Sequence, residues 1–221
     1  MIRIKALSKI FKEGGREVAA LAQLDMNIQK GECVIIGGPS GSGKTTLLNI
    51  VGCLTRPTEG EVSIDNKEIS RLPEHFLCDL RRSKIGFVFQ QFNLFSGYTA
   101  IENVGMPLVP LGMREVKRRA LAGELLDSLG LKDRADFPVH ELSGGEQQRV
   151  AIARALINSP EIIIADEPIS NIDAGNAEKI LDIIKELVRR GKTLLVSSHD
   201  SLVAKHLPVT ASYNLVLGRL A

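Results

Sequence analysis

At 221 residues the chain is long enough to bury a full core and is expected to form one domain. Its formal charge of +2 gives no electrostatic case for a nucleic-acid partner, and no window approaches the roughly eighteen consecutive apolar residues of a membrane-crossing helix. Cys33, Cys53 and Cys78 are odd in number and lack metal-ligand spacing, so they read as reduced core residues of a soluble, cytoplasmic chain.

The opening Met1-Ile2-Arg3-Ile4-Lys5 is a charged strand pattern rather than a secretory signal. Cys33-Val34-Ile35-Ile36 reads as a buried strand and Thr46 to Val51 as a helix. Between them, Gly38-Pro39-Ser40-Gly41-Ser42-Gly43-Lys44-Thr45 fits the phosphate-binding loop: glycine, four residues, then glycine, lysine and a hydroxyl. Glycines allow the tight turn that aims backbone N–H groups at phosphate oxygens, and the following helix adds its positive end. Lys44 is expected against the β- and γ-phosphates, and the Thr45 hydroxyl on Mg²⁺. A bare glycine-rich turn is the rival reading, and the full pattern in this strand-to-helix context outweighs it.

A strand follows at Ile85 to Phe89, and then the pattern changes. From Phe92 to Ala155 helical periodicities, such as Arg114 to Gly130 and Gly144 to Asn158, run without a convincing strand, as a helical insertion would. The charged run Arg114 to Arg119 reads as a solvated helix face. Glu161-Ile162-Ile163-Ile164-Ala165 is an apolar strand ending in Asp166-Glu167, where one acid can hold Mg²⁺ and the next can orient or deprotonate water. A helix at Ala177 to Arg190, stopped by Gly191, leads to a last buried strand at Thr193 to Ser197. Strands alternating with helices predict an α/β fold on a parallel sheet.

Leu142-Ser143-Gly144-Gly145-Glu146-Gln147 runs directly into a helix. Ser143 and Glu146 have capping-box spacing and would start that helix in any protein, but capping alone does not call for two glycines. Gly144 and Gly145 at a positive helix end make a second phosphate site. Two half-sites for one triphosphate in a single chain suggest that two chains share each nucleotide.

These three motifs together resemble the nucleotide-binding subunit of an ABC transporter, and the resemblance covers essentially the whole chain. It implies a P-loop NTPase of ABC type: a RecA-like parallel-sheet core at about 1–90 and 156–221, an N-terminal antiparallel β element and a helical subdomain at about 91–155. It also implies ATP and Mg²⁺ as ligands, a head-to-tail homodimer formed with ATP, and a separate transmembrane permease that would hold the chain against the inner face of the membrane. The nucleotide would lie on Gly38 to Thr46, with Phe11 stacked on adenine where the family usually has tyrosine. Ser143, Gly144, Gly145 and Glu146 would act in trans on the partner's nucleotide. Catalysis would fall to Lys44, Gln90, Glu167 and His199, and the cation to Thr45, Gln90 and Asp166. Ser170-Asn171-Ile172-Asp173 matches the D-loop, while His75, His140 and His206 read as structural.

Phe87 to Asn93, with Thr99 to Val104 and Met106-Pro107-Leu108, is similar to the LolD/MacB/FtsE-type group that serves lipoprotein release, macrolide export and cell division. Pro168 to Asp173 departs from the group's usual threonine-glycine-asparagine-leucine run. Phe92, Leu94, Phe95 and Tyr98 crowd just after Gln90, either as subdomain core or, by resemblance, as a groove for a helix of the membrane subunit. The tail from Ser212 is expected to carry no appended regulatory domain. Competing readings are a soluble ABC-type ATPase acting on DNA or ribosomes, a non-catalytic scaffold, and a GTP switch. The last is disfavoured because Asn66-Lys67-Glu68-Ile69 lacks the aspartate that would read guanine.

Overall fold

The computed structural model describes residues 1–221, except for the side chain of Glu13. Elements run in the order β1 (Ile2–Glu13), β2 (Arg16–Ile28), β3 (Cys33–Gly37), α1 (Lys44–Val51), β4 (Glu59–Ile64), β5 (Lys67–Glu68), α2 (Glu74–Lys84), β6 (Ile85–Val88), α3 (Ala100–Gly105), α4 (Glu115–Ser128), α5 (Gly144–Leu156), β7 (Ile162–Asp166), α6 (Ala174–Arg189), β8 (Thr193–Ser197), α7 (Ser201–His206), β9 (Ala211–Val216) and β10 (Arg219–Leu220). Short 3₁₀ turns at Met106–Leu111, Lys132–Arg134 and Val139–Glu141 link the helices of the middle region.

Two sheets result. An antiparallel one has the order β2-β1-β4-β5; the other has the order β10-β9-β3-β8-β7-β6, parallel throughout except for the terminal β9–β10 hairpin. Strands β3, β7 and β8 are apolar almost without interruption because both faces of the parallel sheet are covered. Their side chains alternate between two cores. Val34, Ile36, Ile162, Ile164 and Leu195 join α1 and the antiparallel sheet, whereas Cys33, Ile35, Ile163, Ala165, Leu194 and Val196 join α6 and α7. A third core lies among α3, α4 and α5. Helix α5 belongs to two of them, giving Val150 and Ala153 to the third and Ile152 and Ala155 to the second.

Several expectations need adjusting. The insertion helices are shorter than their periodicity suggests, and α6 begins three residues before Ala177 because the Asp173 carboxylate accepts the Asn176 N–H and caps it there. Cys33 and Cys53 are buried, with thiols pushed up to about 11 by desolvation, but Cys78 is exposed on α2 and is no core residue. Phe92, Leu94, Phe95 and Tyr98 do not act as one group: Leu94 packs against the third core, Phe92 is half-buried, and Phe95 and Tyr98 stand exposed, edge to face, 6.0 Å apart. Among the described residues no helix is long and apolar enough to cross a membrane.

Candidate nucleotide site

The C-terminal edge of the parallel sheet collects the site, as open α/β sheets do. β3 feeds the loop from Gly38 to Gly43, and α1 begins at Lys44. Glycine is obligatory at two points. A Cβ on Gly38 (φ +133°) would come within 2.2 Å of the Leu215 carbonyl oxygen, and one on Gly43 (φ +105°) within 2.4 Å of that of Ala20. Gly43 starts the helix with no side-chain cap and no acid follows in the first turn, so the first N–H groups of α1 have no partner within the helix. Ser42 adds a buried hydroxyl oxygen with no hydrogen-bond partner inside the loop. Free donors and an orphaned hydroxyl at a positive helix end fit a polyphosphate.

The cleft over this loop, about 400 Å³, is lined by Pro39 to Thr46 together with Ala20, Gln90, Glu167 and His199. The Lys44 ammonium donates to the carbonyls of Gly38 at 2.7 Å and Pro39 at 3.1 Å, and lies 3.8 Å from Glu167 Oε1. The same Oε1 lies 2.9 Å from His199 Nδ1. Lys44 and Glu167 are both buried, whereas the His199 side chain is largely exposed. β7 delivers Asp166 and Glu167 as buried acids, and Asp166 pairs in register with Ser197 of β8. Among the described residues no group of three or more His, Cys, Asp or Glu side chains forms a cation cage. Mg²⁺ does not need one, because one or two protein oxygens plus substrate phosphates and water usually hold it. The Asp166 carboxylate and the Thr45 hydroxyl are oxygen groups of the kind such a cation takes.

Gly38 and Asp166 are not among the residues lining the cleft, and two further sets of expected residues stay outside it. Phe11 pairs across the hairpin with Val18, two residues from the cleft-lining Ala20, and carries the Lys9 ammonium 5.0 Å from its ring centre. It is 42% exposed, so it is not core. Ser143 and Gly144 are exposed at the start of α5, and Gly145 is buried against Asn176 of α6. The capping box is formed: the Ser143 N–H and hydroxyl each donate to Glu146 Oε2 at 2.8 Å, and these bonds, with Arg134 3.2 Å away, hold the Glu146 carboxyl below its usual range.

Sequence reasoning missed two contributors. Ala20 comes from β2, a strand with no clean pattern, and Ser197 was read only as the end of an apolar run. The sole signal for Ser197 is a hydroxyl closing a strand whose middle, Leu194 to Val196, is aliphatic.

A helix-opening phosphate loop with a lysine and two buried acids gathered beside it defines the P-loop nucleotide-hydrolase class. Residues 21–170 match the ABC transporter family. The chain is 49% identical over 212 residues to an uncharacterised ABC transporter ATP-binding protein, MJ0796 of Methanocaldococcus jannaschii, covering 93% of this chain and 89% of that one. It is 45% identical to YvrO of Bacillus subtilis, also an uncharacterised ABC transporter ATP-binding protein, over 93% and 90% of the two chains. It is 47% identical to the macrolide export ATP-binding/permease protein MacB of Mannheimia succiniciproducens, over 92% of this chain but 32% of MacB. A solved dimeric structure of the MJ0796 cassette bound to ADP and Pi superimposes with a TM-score of 0.92 at 46% identity, covering all of this chain and 96% of that one. The chain therefore belongs to the ABC transporter ATP-binding family, a family of ATP-hydrolysing proteins.

Proposed function

We propose that the chain is the motor subunit of a transporter, pairing head to tail with a second copy around two Mg·ATP and driving a separate membrane-spanning permease in export, lipoprotein release or transmembrane signalling. The observation that carries this reading is the separation of the two phosphate motifs. Lys44, Glu167 and His199 converge on one cleft, while Ser143 and Gly144 stand exposed away from it. A second copy, like that in the dimeric MJ0796 structure, would bring its Ser143 to Gly145 to this cleft, and its Glu146 would keep that segment in shape.

Within the cleft, Gly38 to Thr46 would hold the phosphates, Lys44 would meet the developing negative charge, and Phe11 would lie against the base. Bound Mg²⁺, held by Asp166, Thr45 and Gln90, would neutralise phosphate charge and fix its orientation. Glu167 would take the proton of the attacking water, and His199, already bonded to Glu167, would keep that carboxylate and the phosphate in line. We also assign residues of about 91–155 to a helical subdomain on a core of about 1–90 and 156–221. The permease would dock on the exposed Phe95–Tyr98 face of that subdomain, making the chain peripheral to a membrane.

Glu167→Gln should cut turnover by about 10²- to 10⁴-fold while ATP still binds and ATP-held dimers persist in gel filtration. Lys44→Ala should weaken ATP binding itself. Wild-type turnover in Glu167→Gln would overturn the assignment.

A further inference from the structure

We infer that Ser197 is a positioning residue for the ATPase reaction: its sealed hydroxyl ties the carboxylate of Asp166 to the peptide N–H of Glu167, so that one side chain on β8 sets both acids at the C-terminal end of β7. Ser197 has no exposed surface. Its hydroxyl donates to Asp166 Oδ1 and accepts the Glu167 N–H at 2.9 Å. That N–H also lies 3.1 Å from the Ser197 carbonyl oxygen.

The place in the sheet explains why a side chain is needed. The β7–β8 ladder ends at the pair Asp166 and Ser197, so Glu167 lies just beyond regular pairing. It does so at φ +47°, in the left-handed region that a residue with a Cβ enters only when its surroundings hold it there. Ser197 holds the N–H side of this residue. Ser170 holds the other, its N–H at 3.1 Å and its hydroxyl at 2.9 Å both donating to the Glu167 carbonyl. Without the Ser197 hydroxyl, Glu167 N–H would keep a backbone acceptor, but the buried Asp166 would lose a donor that fixes its plane. The larger effect therefore falls on the acid assigned to the cation.

This inference rests on the proposed roles of Asp166 and Glu167, and the test separates the two. Nucleotide affinity of Ser197→Ala should equal that of the wild type in EDTA, since the phosphate loop is untouched. The Mg²⁺ concentration that half-saturates Mg-dependent ATP binding should rise about tenfold, with a similar fall in kcat, as for other groups that orient a metal ligand. Ser197→Thr keeps the hydroxyl on a side chain that suits a strand and should restore most of both. A wild-type Mg²⁺ half-point in Ser197→Ala overturns the proposal, as does a lower melting temperature with an unchanged half-point, or equal shifts in folded alanine and threonine variants. Asp166→Asn is the control. If it shifts the half-point and Ser197→Ala does not, only the role of Ser197 fails; if it does not shift it either, the cation assignment fails as well.

Discussion

Two helices of this protein begin at the motifs proposed to share a nucleotide, and their N-termini are built in opposite ways. α1 opens on Gly43 with no side-chain cap, and its first residue, Lys44, reaches back to the loop carbonyls. α5 opens on Ser143 with a complete capping box, the Glu146 carboxylate taking the Ser143 N–H and hydroxyl at 2.8 Å each. Both ends carry the same partial positive charge. In α5 a negative side chain already answers part of it, which stabilises the helix in the isolated chain; in α1 the donors are left for a ligand. One helix end is thus left open for a ligand, and the other stands by itself and presents only an exposed edge.

The sharpest way to break that comparison is to damage each end in a different copy. Lys44→Ala and Ser143→Arg chains should each be nearly inactive alone, the first lacking the lysine of its own cleft and the second blocking the exposed edge with a bulky cation. Mixed together they should recover measurable ATPase activity, because a heterodimer holds one intact cleft facing one intact Ser143 to Gly145 segment. If heterodimers form, as shown by differential tagging, and no activity returns, the two helix ends do not serve one nucleotide.

Legibility in the sequence followed the same division. Gly38 to Thr45, Asp166, Glu167 and the box of Ser143 and Glu146 were readable because each motif is local: the chemistry and the backbone geometry lie within a few consecutive residues. The antiparallel sheet was far less visible beyond its first five residues. β1 and β2 lose register between Ile4 and Leu7, between Leu7 and Lys9 and between Lys9 and Ile10, and Ala6 and Gln23 take positive φ, so the alternation that marks a strand is broken repeatedly. Ser197 was invisible for another reason. Its partners lie about thirty positions away, and only the register of β7 against β8 brings them together. Cys78 was misplaced because a general preference for burial says nothing about which face of α2 a residue occupies.

The next contrast lies in the segment after Gln90. Leu94 packs on the core among α3, α4 and α5, so Leu94→Ala should lower unfolding stability by about 2 kcal/mol in a denaturant titration. Tyr98 is exposed, and Tyr98→Ala should leave stability within about 0.5 kcal/mol of wild type. If this face receives the permease, Tyr98→Ala should instead reduce co-purification with it. Equal destabilisation by both variants would return the whole cluster to the core.

Adjacent glycines at the start of α5 offer a smaller effect. A Cβ on Gly145 would lie 2.5 Å from Asn176 Cγ and 2.7 Å from its Cβ, whereas one on Gly144 would have its nearest neighbour at 4.0 Å. Asn176 cannot simply swing aside, because it also bonds Arg149 on α5 and the Asp173 cap of α6. Gly145→Ala should therefore cost about 1 to 2 kcal/mol of stability, and Gly144→Ala about 0.5 kcal/mol or less. Chemical denaturation of the two variants decides this. Similar losses would show that the space around Gly145 yields more easily than its contacts imply.

The smallest effect isolates charge at the capped end. α3 carries a box of matching geometry, with the Thr99 N–H and hydroxyl donating to Glu102 Oε2 at 2.8 Å each, but it has no glycine pair and serves as an internal control. Both carboxyls are held below the ordinary value of 4.5, chiefly by the backbone hydrogen bond from the capping residue. A lowered folded pKa means that the stabilisation is present above the unfolded value and is lost as pH falls through the folded one. Wild-type stability should therefore decline below about pH 4.5 more steeply than that of Glu146→Gln, by about 1 kcal/mol or less, because glutamine keeps the box without titrating. Glu102→Gln should flatten the acid limb in the same sense. Only Glu146→Gln should also tighten ATP-driven dimerisation at neutral pH, since it alone removes negative charge beside the edge that would meet a partner's phosphates. Acid titrations followed by circular dichroism, with gel filtration in ATP, separate the two; equal dimerisation by both variants would mean that the charge at the start of α5 does not reach the nucleotide.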